Sequence, residues 1–461
     1  MKTTLIGLAA VAVMANNPAR AEDAEGYWSG TIANSLKVFV QFSKPADGPW
    51  QATLSVPQQG LVTKVENVVV TPDQVSFALP KLNASYAAHW NVQDKAWVGT
   101  WTQGRSTPLI FKRADQQALA ALNPKRPQEE QIAARAPIYT SSEVSFANDA
   151  ANVKLAGTLT VPQGTGPFPA VVLVHGSGSH TRDEEVFGHK VFLVLADHLA
   201  RQGIAVLRYD KRGVAKSSGN LKDATTLDLA ADAEAAVRFL RGRAEIDTKR
   251  VGLIGHSEGG LIAPLLASRD PALGFVVMLA GPGVRGDRLL VEQVALMSKA
   301  QGAPDAAVAK QRALNQALFA AFVAEPKLED ATNKAALILD EAERKGDVPA
   351  GQGKVLLQRY ATPWFHALLR YDPAPVLQAV QQPILVLNGE LDLQVPAAMD
   401  LSAIRAALQG NPRAVVKEMP KLNHLFQTAR TGSGAEYAEI EETMAPIALS
   451  AISDWIIATA R

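Results

Sequence analysis

Residues 251–259 read Val251-Gly252-Leu253-Ile254-Gly255-His256-Ser257-Glu258-Gly259, an apolar run followed by the pattern G-x-S-x-G. The apolar run predicts a buried strand, and the apolar spacing from 259 to 268 predicts a helix directly after it. In such a turn the two glycines let the chain reverse sharply, and the serine hydroxyl stays exposed at the carboxyl end of the strand. The amino end of the helix also favours negative charge beside the serine. This stretch therefore predicts a nucleophilic Ser257 in an α/β domain.

The alternation of strand and helix extends in both directions from this turn. Apolar runs of the kind that strands buried on both faces require occur at residues 170–174, 204–209, 275–279, 384–387 and 415–419, and helical spacing occurs at 191–202, 226–241 and 447–460. The pattern predicts an α/β domain over residues 138–461, with a doubly wound, mostly parallel sheet. Residues 284–375 interrupt it with helical spacing and no convincing strand, which predicts a helical cap.

The segment before this domain has a different pattern. Residues 22–113 carry short apolar runs separated by Gly, Pro, Asn and Asp, as in a small β-barrel or sandwich. Five of the seven tryptophans lie here: Trp28, Trp50, Trp90, Trp97 and Trp101. Because one indole buries a large area, we interpret them as the core of the domain, the alternative being an aromatic binding face. Residues 114–137, rich in Ala, Gln, Pro and charge, are predicted to be a linker.

The first 21 residues have the pattern of a secretory signal peptide. Lys2 supplies the positive start, residues 5–15 form an apolar run too short to span a bilayer, and Ala19-Arg20-Ala21 fits a small-x-small cleavage site. We expect cleavage before Glu22 and a location in the periplasm or outside the cell. The mature chain has no other uncharged apolar stretch of about 18 residues, so no membrane span is expected in it.

Composition excludes several classes of protein. Among 461 residues, 46 Lys and Arg balance 45 Asp and Glu, so the basic excess typical of a nucleic-acid partner is absent. The chain has no Cys, which rules out disulfides, thiolate metal sites and a cysteine nucleophile. Its eight His are dispersed, without a His-x-x-x-His pair on a plausible helix. We therefore expect no metal site and no cofactor.

A nucleophilic serine needs a base, and the base needs an acid that orients it. In this architecture the order along the chain is serine, acid, histidine. Only His366, inside the cap, and His424, after the last strand, follow Ser257. A loop at the carboxyl edge of the sheet can reach the serine, which favours His424. The acid is expected after the preceding strand, where both Glu390 and Asp392 stand, and their positions alone do not separate them.

Acyl transfer also needs two preset backbone N–H donors for the oxyanion. One is expected from Glu258, the residue after the nucleophile. The other is expected from the loop His175-Gly176-Ser177-Gly178-Ser179, where we assign it to Ser177, with Gly178 as the alternative. Gly176 and Gly178 are expected to line the substrate pocket, because glycine lets the backbone approach the acyl oxygen. The loop lacks the spacing and Lys of a phosphate-binding loop.

Two charged segments and one cap motif complete the candidate residues. Arg182-Asp183-Glu184-Glu185 and Tyr209-Asp210-Lys211-Arg212-Gly213 are interpreted as structural, with ion pairs that fix loops. In the cap, Trp364 and Phe365 are expected to shape a small acyl pocket, the alternative being that both pack in the core of the cap.

These residues together resemble the α/β-hydrolase superfamily, and within it bacterial carboxylesterases and serine-aminopeptidase-like hydrolases with an exported N-terminal β domain. The similar segments are His175-Gly176-Ser177-Gly178, Arg182-Asp183-Glu184, residues 208–213, 255–260, 362–365, 371–373 and 389–396. The resemblance implies the α/β-hydrolase fold, Ser257 as nucleophile, Asp392 as acid and His424 as base. It also implies short-chain ester hydrolysis as the commonest activity. The chain departs from it at Ser179-His180, where relatives often have a proline.

The sequence therefore predicts an exported serine hydrolase of the carboxylesterase type. Its substrate would be a small acyl ester, cleaved through an acyl-enzyme. The first alternative is an aminopeptidase, in which a cap carboxylate such as Glu292, Glu329 or Glu341 binds the substrate ammonium. The second is a glycan- or cell-wall-binding protein that uses the Trp-rich domain and carries a vestigial hydrolase.

Overall fold

The computed structural model describes residues 24–32, 36–57, 61–115, 118 and 125–460, without the side chain of Arg105. The predicted signal peptide, residues 1–21, lies outside them. The chain divides into two units, Met1–Asn123 and Pro124–Arg461, and the division falls within the stretch predicted to be a linker.

The described part of the first unit is an antiparallel sheet. Its strands are β1 (Gly26–Ile32), β2 (Leu36–Ser43), β3 (Gln51–Val56), β4 (Leu61–Lys64), β5 (Glu66–Val70), β6 (Gln74–Leu79), β7 (Ala84–Asn91), β8 (Ala96–Gln103) and β9 (Arg105–Arg113), with a 3₁₀ turn at Pro80–Leu82. Their order is β4-β3-β2-β1-β9-β8-β7-β6-β5. The edge strands β4 and β5 are halves of one segment, separated only by Val65. The two edges are thus joined through a continuous stretch of chain, as in a closed barrel.

Aromatic side chains fill this first unit. Trp28, Trp97 and Trp101 are buried, and Trp28 packs edge-on against both Trp90 and Trp97. The Tyr86 hydroxyl donates to the carbonyl oxygens of Trp97 and Leu109, and burial raises the pKa of this phenol. The interpretation of the tryptophans as core is confirmed for these buried indoles.

The second unit is built on an eight-stranded sheet. Its strands are β10 (Tyr139–Asn148), β11 (Val153–Pro162), β12 (Phe168–Val174), β15 (Ala205–Tyr209), β16 (Ile246–His256), β17 (Phe275–Leu279), β18 (Ile384–Gly389) and β19 (Ala414–Met419). Their order is β10-β11-β15-β12-β16-β17-β18-β19, antiparallel as far as the β11–β15 pair and parallel from there on. A small hairpin, β13 (Glu185–Val186) and β14 (His189–Lys190), lies outside the sheet. The predicted α/β class with a mostly parallel sheet is confirmed.

Helices cover both faces of this sheet, so the central strands are apolar throughout. In β12, Val171 and Leu173 pack into one core, whereas Val172 and Val174 pack into the core on the opposite face. The helices outside the cap are Pro127–Ala134, Val191–Arg201, Thr226–Arg241, Gly259–Arg269, Ala397–Ala407, Gly434–Tyr437 and Pro446–Thr459. The chain continues from β12 to β15 on one side and from β16 to β17 on the other, so it leaves these two adjacent strands in opposite directions. The loops that follow these two strands therefore meet over a crevice at the carboxyl edge.

The cap is helical and lies between β17 and β18 in sequence. Its helices are Gly286–Ala300, Asp305–Ala324, Leu328–Arg344, Gln352–Tyr360, Pro363–Arg370 and Ala374–Ala379. Its own apolar core includes Leu318, Phe319, Phe322, Leu339 and Phe365. The expected cap, residues 284–375, corresponds to this run of helices.

The second half of the stretch predicted to be a linker is ordered in the second unit. Arg126 is buried, and its guanidinium donates to the carbonyl oxygens of Phe187, Gly188, Ala438 and Ile440. In the helix that follows, Pro127–Ala134, Gln128 and Glu129 accept hydrogen bonds from Thr443 and Met444, and the Gln128 amide donates to the Met444 carbonyl. Composition pointed to a linker because this helix is polar and its partners are distant in sequence.

Candidate active site

Ser257 lies in the turn between β16 and the helix Gly259–Arg269. Its φ of +53° is in the left-handed region that non-glycine residues rarely adopt. The Ser257 N–H donates to the Leu279 carbonyl at 2.9 Å, and the Gly260 N–H donates to the Ser257 carbonyl at 2.8 Å. Surrounding hydrogen bonds thus hold the serine in a strained conformation, as nucleophile turns between strand and helix require.

The glycines of the motif are explained by close packing of backbone. A Cβ atom placed on Gly255 would lie 1.9 Å from the Gly259 carbonyl oxygen, and one on Gly259 would lie 2.0 Å from the Val174 carbonyl oxygen. Neither position therefore has room for a side chain. This contact also brings the turn of Ser257 directly against the end of β12, where the Gly-rich loop begins.

The residues predicted to be the acid and the base, Asp392 and His424, lie in contact. His424 Nδ1 lies 2.8 Å from Asp392 Oδ2, and both side chains are buried. The other oxygen of Asp392 accepts the N–H groups of Gln394 and Val395 at 2.8 and 2.9 Å. When the neutral imidazole donates its Nδ1–H to this carboxylate, the Nε2 atom of His424 presents a lone pair, as a general base requires.

The two rival residues point elsewhere. The Glu390 carboxylate accepts the Lys421 N–H at 2.8 Å. His366 is in the cap, where its Nε2 donates to the Glu325 carbonyl at 2.8 Å. Of the two carboxylates left open by the sequence, the structure therefore brings Asp392 to His424.

A cavity of about 580 Å³ opens between the edge of the sheet and the cap. Its lining at the edge of the sheet includes Gly176, Ser177, Ser257, Glu258 and His424. Its apolar wall includes Leu261, Leu289, Leu290, Val294, Met297, Phe319, Tyr360, Trp364, Phe365 and Leu368. The predicted nucleophile, base and oxyanion donors thus share one cavity.

One predicted pocket residue is not part of the cavity lining. Gly178 is exposed, does not line the cavity and has a φ of +107°, in the region that favours glycine. The next turn brings His180 back beneath the loop, where its Nε2 donates to the Ser177 carbonyl at 2.6 Å. His180 belongs to the pair Ser179-His180, at which the sequence was expected to depart from the family pattern, and its hydrogen bond helps to fix the Gly-rich loop.

The two predicted oxyanion donors are both free to bind a ligand. Within the described residues, neither the Ser177 N–H nor the Glu258 N–H finds an acceptor. The neighbouring amides are occupied, since the Gly176 N–H donates to Glu184 Oε1 at 2.5 Å and the Ser257 N–H donates to Leu279. Two backbone N–H groups without an acceptor in the lining of one cavity are the arrangement that an acyl oxyanion needs.

Buried charges surround the Gly-rich loop, and sequence reasoning missed their position. Glu184 Oε1 lies 3.2 Å from His256 Nδ1, and His256 Nε2 donates to the His424 carbonyl at 3.0 Å. Burial alone would raise the pKa of Glu184, but the charge of His256 and its hydrogen bond outweigh burial and hold the pKa at about 2. The Lys211 ammonium donates to the Gly176 carbonyl at 2.6 Å.

The neighbouring residues of the two charged segments do form the expected ion pairs. Arg182 pairs with Asp210 at 2.9 Å and Arg212 pairs with Asp232 at 2.6 Å. Two residues of these segments contact the Gly-rich loop instead. Lys211 donates to the Gly176 carbonyl, and Glu184 accepts the Gly176 N–H. The many charged residues in these two segments suggested that they matter to the site, but the sequence does not show which of them faces the site.

The two aromatic residues of the cap contact the site in different ways. The Trp364 indole lines the cavity and its Nε1 donates to Glu258 Oε1 at 2.8 Å. Phe365 lines the cavity too, but it also stacks on Tyr360 in the core of the cap. Phe365 therefore does both things that the sequence left open: it lines the cavity and it packs in the core of the cap.

The cap carboxylates proposed for an aminopeptidase lie away from the cavity lining. Glu292 pairs with Arg312, Glu341 pairs with Arg344, and Glu329 is exposed. None of these three glutamates lines the cavity. Among the residues that the structure describes, no group of three or more His, Asp or Glu side chains could hold a metal ion. In the same residues, no helix is long and apolar enough to cross a membrane.

Comparisons with known proteins agree with the fold described above. A model of the alpha/beta hydrolase family matches residues 171–439. Esterase EstD of Thermotoga maritima is 31% identical over 294 residues, which are 63% of this chain and 62% of that protein. The uncharacterized protein Rv2307c of Mycobacterium tuberculosis is 33% identical over 113 residues, 24% of this chain and 36% of that protein. This chain thus spans less than two thirds of the length of either relative.

Among solved structures, the Pyrococcus furiosus esterase Pf2001 superposes with a TM-score of 0.43 at 15% identity, over 69% of this chain and 93% of that one. The family match begins within β12 and extends past β19, so it takes in the turn of Ser257, the cap and the loop of His424. With more than half of its residues in that match and with the strand–serine–helix turn in place, the chain belongs to the alpha/beta hydrolase family.

Proposed function

We propose that the chain is a serine hydrolase that cleaves carboxylic esters, with Ser257 as nucleophile, His424 as base and Asp392 as the acid that orients the base. One observation carries the proposal: Ser257 and the Asp392-bound His424 open on the same cavity as two unoccupied backbone amides. This combination supplies each group that acyl transfer to a serine needs.

The reaction would proceed in two steps. Ser257 Oγ attacks the ester carbonyl carbon while its proton passes to His424 Nε2, and the resulting oxyanion accepts the N–H groups of Ser177 and Glu258. Collapse breaks the bond to the alcohol oxygen, which takes the proton from His424 and leaves. A water molecule then gives its proton to His424 and attacks the acyl carbon, and the acid is released as Ser257 recovers its proton.

Esters are favoured over peptides by two observations. The relative from Thermotoga maritima bears the name of an esterase. An aminopeptidase would need a carboxylate for the substrate ammonium, and Glu292, Glu329 and Glu341 do not line the cavity. The proposal extends to short acyl chains, which the resemblance of the sequence implies, and a cavity of about 580 Å³ has room for both the acyl and the alcohol part of such an ester.

A series of p-nitrophenyl esters tests this proposal. We expect kcat/KM to be highest for the short acyl chains and to fall as the chain lengthens. Aminoacyl p-nitroanilides should be cleaved at least about 100-fold less efficiently, because the two carboxylates in the cavity lining, Glu184 and Glu258, already face His256 and Lys211. Comparable efficiency on the anilides would move the assignment to a peptidase.

We propose further that the protein is exported through residues 1–21. The support is the Lys2 start, the apolar run 5–15 and the Ala19-Arg20-Ala21 site. When the full chain is expressed in a bacterial host, the periplasmic fraction should contain a mature form that begins at Glu22. A full-length mass that remains in the cytoplasm would contradict export.

A further inference from the structure

We propose that Lys211 is a positioning residue for the reaction, because its ammonium holds and polarises the peptide unit that presents the Ser177 N–H to the acyl oxygen. This inference rests on the proposed function and adds a residue that the triad and its oxyanion donors do not include.

The direction of the peptide bond follows from its planarity. The Lys211 Nζ atom donates to the Gly176 carbonyl at 2.6 Å. In a planar trans peptide unit, the carbonyl and the next N–H point in opposite directions. A lysine that holds the Gly176 carbonyl on the buried side thus turns the Ser177 N–H towards the cavity, where it has no acceptor among the described residues.

The pairing of the lysine distinguishes it from its neighbours. Its side chain is 4% exposed, and the nearest carboxylate oxygen, Glu258 Oε2, is 3.9 Å away. Arg182 and Arg212 instead contact their carboxylates at 2.9 and 2.6 Å. Burying a charge costs free energy unless it is hydrogen-bonded. The short hydrogen bond of this ammonium goes to the carbonyl of the Gly-rich loop, as expected for a charge that acts on this loop.

The field of the ammonium acts on both oxyanion donors. A positive charge on a carbonyl oxygen polarises the peptide unit and makes its N–H a stronger donor. Glu258, whose N–H is the second donor, is the counter-charge of Lys211. Its other carboxylate oxygen accepts the Thr226 hydroxyl at 2.7 Å and the Trp364 indole N–H at 2.8 Å. Lys211 therefore contacts the loop that carries one donor and faces the side chain of the residue that carries the other.

The test is Lys211→Met, which keeps most of the length and volume of the side chain and removes its charge. Complete loss of one oxyanion donor lowers kcat by about 100- to 1,000-fold. Because Lys211 acts through a donor that remains in place, we expect kcat on p-nitrophenyl acetate to fall about 10- to 100-fold, with KM changed less than about twofold. The control is Lys216→Met, an exposed lysine of the same segment that pairs with Glu143 and should keep the wild-type kcat.

A transition-state analogue separates positioning from general damage. A boronic acid that adds to Ser257 forms a tetrahedral anion in the oxyanion site. Its inhibition constant should rise by the same factor as kcat/KM falls, whereas the affinity for a non-hydrolysable amide of the same acyl group should not change. A fall in kcat without a matching rise in the boronate constant would overturn the proposal.

A second variant keeps the test decisive if Lys211→Met unfolds because Glu258 is left as a buried unpaired charge. Lys211→Met with Glu258→Gln removes both charges, and the glutamine oxygen can still accept from Thr226 and Trp364. The double variant should show the same loss of kcat. If either variant folds and keeps the wild-type kcat and boronate affinity, the proposal is wrong. Full activity in Ser257→Ala would instead refute the proposed function itself.

Discussion

Ser257→Ala is expected to lower kcat for p-nitrophenyl acetate by about 10⁵-fold or more, because the reaction loses its nucleophile. The change should leave the fold intact. Alanine keeps the Cβ atom, so the strain at φ +53° stays the same, and the backbone bond to Leu279 does not involve the hydroxyl. Steady-state kinetics on purified protein, with the melting temperature measured in parallel, would check both parts.

Ser268→Ala is the matched control for this prediction. Ser268 lies in the helix that follows the nucleophile, and its hydroxyl donates to the Leu265 carbonyl. It is not part of the cavity lining, so the control should keep wild-type kcat. If Ser257→Ala kept more than about 1% of the wild-type kcat, another nucleophile would be at work and the site would have to be reassigned.

The second large effect is expected from Asp392→Asn. One carboxylate oxygen of Asp392 accepts the N–H groups of Gln394 and Val395, and an asparagine carbonyl can take over this role. The asparagine NH₂ then faces His424 Nδ1, which has to accept a hydrogen bond instead of donating one. The proton of the imidazole moves to Nε2, the atom that has to receive the proton of Ser257. We expect kcat to fall about 10⁴-fold in a folded protein.

Glu390→Gln is the control for this prediction, since Glu390 was the rival acid. Its carboxylate accepts only the backbone N–H of Lys421 in the described residues, and a glutamine oxygen can do the same. This variant should keep kcat within about twofold of wild type. If Glu390→Gln were inactive and Asp392→Asn active, the assignment of the acid would be reversed.

The sequence predicted those parts of the fold that local pattern controls. The run 170–174 falls within β12, Phe168–Val174, because a strand that is buried on both faces has to be apolar at every position. The turn of Ser257 was equally accessible, since Gly255 and Gly259 are fixed by contacts within one strand–turn–helix unit. The prediction of Asp392 needed the family resemblance, because Glu390 stands in the same loop.

Other features depend on contacts that no local pattern contains. The hydrogen bond from Lys211 to Gly176 joins residues 35 positions apart. The residues next to Lys211 in sequence, Asp210 and Arg212, form ordinary ion pairs. Which residue of such a charged segment faces the site is decided by the path of the loop after β15. The helix Pro127–Ala134 is likewise held in place by Thr443 and Met444, which lie some 300 residues further along the chain.

The most direct test of the central claim is to treat the folded protein with a fluorophosphonate and to locate the adduct by peptide mass spectrometry. Such a reagent reacts with a serine that is activated by a neighbouring base. We predict one adduct per chain, on Ser257, absent from Ser257→Ala and formed much more slowly in Asp392→Asn. A folded wild-type protein that carries no adduct, or an adduct on another residue with Ser257 unmodified, would contradict the account.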